Sequence, residues 1–134
     1  MANIVEIQNL IDGPRNLVVK VAAILDTSDL ALTDLAVPSA RSDIGPFAGM
    51  KASRFRIDKI EYDIEDTLAM NLFWVAGPNQ LIWSLAGRGI IDAWPYGGLQ
   101  NTAGGATGAI QFNTAGWAAS GVLSANATFW LVKQ

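Results

Sequence analysis

RFRIDKIEYDIEDTLAMNLFWV, residues Arg54 to Val75, is the stretch on which the fold turns. With a turn centred on Asp66, Ile64 faces Leu68, Tyr62 faces Met70 and Ile60 faces Leu72, which stacks three apolar pairs on one side of a β-ribbon. Lys59, Glu61 and Asp63 fall on the other side. The stretch is therefore expected to be one β-hairpin with the loop Glu65-Asp66-Thr67, where Asp tolerates the left-handed conformation such loops need. Upstream, Phe55 and Ile57 are odd-numbered whereas Ile60, Tyr62 and Ile64 are even, so an extra residue near Asp58-Lys59 is expected to form a β-bulge.

The flanking segments repeat the two-residue period. Asn3 to Leu10 places Val5 and Ile7 inward and Glu6 and Gln8 outward, and it ends in the turn Asp12-Gly13-Pro14-Arg15. Asn16 to Leu25 is apolar on both faces apart from Lys20, as expected of a strand covered on two sides, with Lys20 available to an interface. Downstream, Gly77-Pro78-Asn79-Gln80 is a turn, after which Leu81, Trp83 and Leu85 alternate with Ile82, Ser84 and Ala86. That register sets Trp74 opposite Trp83, an aromatic pair adding about 0.5–1.5 kcal/mol beyond its buried area. Gly87-Arg88-Gly89 turns the chain before Ile90 to Trp94. Residues 95 to 121 are Gly-, Ala-, Asn- and Thr-rich, with one strand core at Ile110-Gln111-Phe112. Leu123 to Val132 alternates again, until Trp130 and Val132 break its polar face.

Residues 26 to 53 are the least regular part. DTSDLALTDLA suits either a short capped helix or an edge strand. Val37 to Ala52 holds Pro38, Gly45, Pro46 and Gly49, a long loop that carries Ile44, Phe47 and Met50. In all, about eight short strands at spacings of about 8–12 residues with little or no helix predict an all-β fold, an antiparallel β-sandwich of jelly-roll type, in a single domain over residues 1–134.

Composition narrows the function. Hydrophobic residues make up 51% of the 134 residues and charged residues 16%, so the chain buries a sizeable core and leaves apolar surface for a partner. With no Cys and no His, disulfides, thiol nucleophiles and the usual histidine-assisted catalytic pairs are excluded. A net charge of -3 speaks against nucleic acid as a partner. No apolar run approaches the roughly 20 residues of a spanning helix, and MANIVEIQ has no basic start, so neither a membrane span nor a signal peptide is expected and synthesis is placed in the cytoplasm.

Glu61, Asp63 and Glu65 share a strand face at about 6.5–7 Å between alternate residues, near the spacing of paired glycosidase carboxylates. Interleaved with Arg56 and Lys59, they read better as a solvated face. Gly104-Gly105-Ala106-Thr107-Gly108 has no following Lys and opens no helix, so it is a flexible loop rather than a phosphate cradle. The aromatic residues divide in two. Trp74, Trp83 and Trp130 sit on strands and are expected in the core. Trp94, Tyr96 and Trp117 lie at strand ends or in Gly-rich segments, near Arg88 and Leu99, and have the composition of an interface hot spot. The candidate contact residues are thus Ile44, Phe47, Met50, Arg88, Trp94, Tyr96, Leu99 and Trp117. The alternative use of Trp94, Tyr96 and Trp117 is as stacking platforms for a sugar or receptor, beside Asp92 and Asn101.

Several segments together resemble a family of small tailed-phage virion proteins, the capsid cement or head-decoration proteins. They are DGPRNLVVK (Asp12 to Lys20), LDTSD (Leu25 to Asp29), NLFW (Asn71 to Trp74), IWSLAGRG (Ile82 to Gly89), GGLQN (Gly97 to Asn101) and WLVKQ (Trp130 to Gln134). The resemblance touches most of the chain outside residues 30 to 53. It implies a jelly-roll structural protein without enzymatic activity or cofactor. Such a protein binds the outer face of the phage major capsid protein, on the virion, as a homodimer or homotrimer.

Overall fold

The computed structural model describes residues 4–25, 32–37, 51–65, 68–102, 104–116 and 123–134. Within them the chain runs β1 (Ile4–Asp12), β2 (Asn16–Leu25), β3 (Thr33–Ala36), β4 (Phe55–Ile64), β5 (Leu68–Trp74), β6 (Gln80–Leu85), β7 (Arg88–Asp92), a single 3-10 turn at Trp94–Tyr96, β8 (Ile110–Gly116) and β9 (Leu123–Lys133). The strands form two antiparallel sheets, one ordered β1-β2-β9-β4-β7 and the other β3-β8-β5-β6. The fold is the expected all-β sandwich, and of the ambiguous segment Thr33–Ala36 is an edge strand, β3, while residues 26–31 lie outside the described residues.

Alternation along each strand builds the core between the sheets. From the five-stranded sheet come Leu17, Val19, Val21, Phe55, Ile57, Ile60, Phe129 and Leu131, and from the four-stranded sheet Leu35, Leu68, Met70, Leu72, Trp74, Leu85, Ile110 and Phe112. The pairing rows agree with this: Val19, Phe129, Ile60 and Ile91 stand abreast across four strands of the larger sheet.

The hairpin expected from Arg54 to Val75 does not form. β4 pairs with β9 and β7, whereas β5 pairs with β6 and β8, so the chain crosses from one sheet to the other between residues 64 and 68. Ile60, Ile64, Leu68, Met70 and Leu72 are buried as expected, but they meet across the core and not side by side on one ribbon. A period of two fixes which side chains point inward and is silent on whether the next strand lies beside the first or opposite it. The bulge is found where its phase shift places it: Ile57 pairs with Leu131 and Lys59 with Trp130, leaving Asp58 as the extra residue. Residues 66 and 67 of the loop lie outside the described residues.

The sequence-adjacent hairpins are β1–β2 and β5–β6. The second turns at Gly77-Pro78, a cis peptide, with Ala76 N–H donating to Asn79 Oδ1 at 3.0 Å. Its register departs from the expected one. Leu72 lies opposite Trp83 and Phe73 opposite Leu81, which leaves Ile82 as a second bulge, and Trp74 meets Gln80 in place of Trp83. Trp83 shares the inward face with Leu72 but sits on an edge strand and is 42% exposed, and Trp130 is only half-buried on the outer face of the larger sheet, so of the three strand tryptophans Trp74 alone is core.

Two further expectations fail for want of a covering layer. Ile24, on the outer face of β2, is exposed, because among the described residues only the inner face of that strand meets another sheet. Ile7 points inward in register, opposite Val21, yet is 36% exposed. The larger sheet has five strands facing four, and β1 is its edge strand.

Candidate interaction surface

The segment after β7 is fastened onto the β4 bulge. Ala93 N–H donates to Asp58 O at 2.9 Å, and Tyr96 N–H returns to Ala93 O at 2.9 Å, closing the 3-10 turn around Pro95. Gly97 and Gly98 then take φ of +82° and +83°, the left-handed region in which glycine alone is unstrained. The chain comes back so that Leu99 N–H donates to Ile57 O at 2.7 Å and Ile57 N–H to Leu99 O at 3.1 Å. This clamp holds Trp94 and Tyr96 outward, 65% and 87% exposed, on backbone tied at both ends.

Under the clamp lies an ion pair. Arg56 Nε donates to Asp58 Oδ1 at 2.8 Å and its second nitrogen to Oδ2 at 3.2 Å, a two-pronged contact with both side chains 15% exposed. The hydrogen bond that Arg56 donates to Asp58 is the chief reason its guanidinium titrates above its ordinary value, so it stays charged. Its carbon stands 5.9 Å from the centre of the Trp94 ring, and Lys59 Nζ stands 4.8 Å from the centre of the Trp130 ring. Between the two indoles runs an open groove of about 370 Å³ with Val18 on its apolar side and Asp58 and Asp92 on its polar side.

The expected contact residues divide as follows. Trp94 and Tyr96 are together on the clamp. Leu99 packs against the core, and its backbone is what secures the clamp. Arg88 opens β7 at the far end of the same face, 3.4 Å from Asp63 in a solvent-exposed pair. Ile44, Phe47, Met50 and Trp117 lie outside the described residues. Asn101, considered as a sugar contact, is buried at 4% exposure. Glu61 and Asp63 sit on the outer face of β4, Glu61 at 3.9 Å from Lys59, in the solvated arrangement their interleaving predicts.

Sequence reading missed Arg56, Asp58, Lys59 and Trp130 as one cluster. Its only trace in the sequence was Trp130 interrupting the polar face of β9, because the pairing of β9 with both β2 and β4 is what gathers Val18, Trp130 and Lys59 into a row. It also missed a second apolar surface along β1, where Ile4, Leu10 and Ile11 are 48%, 49% and 53% exposed.

Among the described residues no group of acidic side chains is arranged to hold a metal, and no helix is long and apolar enough to cross a membrane. Fold and surface together define an antiparallel β-sandwich that displays rigidly mounted aromatic side chains. No protein family, curated protein sequence or solved structure matches this chain.

Proposed function

We propose that this is a non-enzymatic structural virion protein of a tailed phage, a cement or decoration protein that binds the outer surface of the major capsid protein lattice and stabilises the capsid. The observation that carries the reading is the clamp: Trp94 and Tyr96, both largely exposed, are held by a bidentate Arg56–Asp58 pair and four backbone hydrogen bonds. Exposed aromatic side chains backed by an arginine on fixed backbone are the composition of a binding hot spot, since little ordering entropy remains to be lost on association. The strand orders β2-β9-β4-β7 and β3-β8-β5-β6, with the chain passing repeatedly between sheets, support the jelly-roll assignment within the sandwich. The segment resemblance to decoration proteins supplies the partner. Capsids melted with and without the protein test the proposal; a rise in melting temperature is expected, and identical melting would sink it.

A second reading is favoured by the groove between Trp94 and Trp130, whose stacking walls stand beside Asp58 and Asp92 as acceptors for hydroxyl groups. This suits a carbohydrate- or receptor-binding module of a virion. Binding on a glycan array that disappears in Trp94→Ala would select this reading over the first.

A further inference from the structure

The groove between Trp94 and Trp130 does not end at Trp130. Val18, Trp130, Lys59 and Asp92 stand abreast across β2, β9, β4 and β7, and two residues further along the same strands stand Lys20, Thr128, Glu61 and Ile90. Asn126, Asp63 and Arg88 form the row beyond. These two rows floor a second open groove of about 510 Å³, which adjoins the first where Lys59 meets Glu61 at 3.9 Å. At the rise of an extended strand, Asn126 and Trp130 are about 13 Å apart along β9, so the joined trough extends along the strands well past the two indoles.

The trough has the chemistry of a surface for an uncharged, hydroxylated chain. Its cations and carboxylates cancel: Arg56 pairs with Asp58 at 2.8 Å, Lys59 with Glu61 at 3.9 Å and Arg88 with Asp63 at 3.4 Å, and Lys20 offsets Asp92. A polyanion or a basic peptide therefore meets no net field to draw it in. A packed protein face would strip water from Lys20, Glu61, Asp63 and Arg88 and return no partner. Pyranose units answer both needs. Their C–H faces cover indole rings, and their hydroxyl groups donate to Glu61 and Asp63 and accept from Lys20 and Arg88 in place of water. The indoles are steadied by the cations against them, Lys59 Nζ at 4.8 Å from the Trp130 ring centre and Arg56 Cζ at 5.9 Å from that of Trp94.

We propose that the outer face of the larger sheet binds a linear neutral oligosaccharide along the strands, with rings stacked on Trp94 and Trp130 and the following units over Thr128, Asn126 and Arg88. This rests on the saccharide reading of the groove and adds the ligand's length, charge and direction. The test is titration calorimetry of the whole chain with tri- and hexasaccharides of linear glucans, mannans, galactans and N-acetylglucosamine polymers, beside hexagalacturonate as the anionic control. At least one neutral hexasaccharide is expected to bind tenfold or more tighter than its trisaccharide. Arg88→Ala and Thr128→Ala, each with an unchanged circular dichroism spectrum, are expected to lower hexasaccharide affinity threefold or more and to leave the trisaccharide unaffected, whereas Trp94→Ala weakens both. Arg88 sits in a solvent-exposed pair, so its removal leaves the fold in place. Equal affinity for the two lengths, or a hexasaccharide indifferent to both Arg88→Ala and Thr128→Ala, would overturn the extended site while keeping the saccharide reading. Tighter binding of hexagalacturonate than of every neutral hexasaccharide would overturn it as well. No binding by any of these sugars would overturn the saccharide reading itself, and with it this proposal.

Discussion

The Lys133 side chain has no solvent exposure, and its ammonium lies 2.6 Å from both Asp12 Oδ1 and Gly13 O, tying the end of β9 to the β1–β2 turn. A buried cation held in this way is costly to strand and cheap to replace. Asp12→Ala is therefore expected to lower stability by about 2–4 kcal/mol, whereas Lys133→Met, which leaves the partly exposed carboxylate to water, should cost less than about 1.5 kcal/mol. Urea denaturation of the two variants checks the order, and the reverse order would show the pair to be a net stabiliser. Gly98 is the other residue whose identity is dictated locally. At φ +83°, a Cβ there would come within 2.6 Å of Arg56 Cγ and Cδ and 2.7 Å of Asp58 Oδ1. Gly98→Ala should destabilise the protein by about 1–3 kcal/mol and shift Trp94 fluorescence as Arg56 is displaced from the ring.

At the scale of the element, the β4 bulge shows how one residue sets the face of a whole strand. Asp58 lets Phe55 and Ile57 point inward on one side of it and Ile60 and Ile64 on the other, all with at most 2% exposure. Inserting an Ala between Lys59 and Ile60 puts the two halves out of phase and drives one pair of side chains into solvent. At about 2–5 kcal/mol per large core side chain, the loss is of the order of the whole stability of a domain this size, and the variant is expected to be unfolded by circular dichroism. β1 also carries a bulge, between Asn9 and Ile11, but on an exposed edge. Deleting Leu10 should leave the fold intact. If the insertion variant folds as well as the Leu10 deletion, the single extra residue at Asp58 is not what keeps β4 in phase.

For the molecule as a whole, the exposed aromatic clamp separates stability from binding. Trp94→Ala and Tyr96→Ala remove side chains that bury little in the isolated protein, and each should change its unfolding free energy by no more than about 0.5 kcal/mol. On capsids the same variants should weaken binding by about 2 kcal/mol, roughly 30-fold, measured by co-sedimentation titration. An equal loss of folding stability would instead make the clamp a structural lid over the open end of the sandwich.

How much of this was legible follows from what a linear pattern can encode. Strand positions, inward faces, the Asp58 bulge, the turns at Asp12 and Gly77 and the solvated acids of β4 depend on local alternation and turn chemistry, and the sequence alone determined them. Trp94 and Tyr96 were legible as surface aromatics because they stand next to Pro95 and Gly97-Gly98, where a strand cannot continue. Partnership is different. That β4 and β5 lie in opposite sheets, that Trp83 and Ile7 fall on edge strands, and that Trp130, Lys59, Arg56 and Trp94 gather on one face depend on which strands become neighbours. Two strands side by side and two strands face to face bury the same alternate residues, so the choice between them leaves no mark on the alternation, and only the tertiary structure decided it.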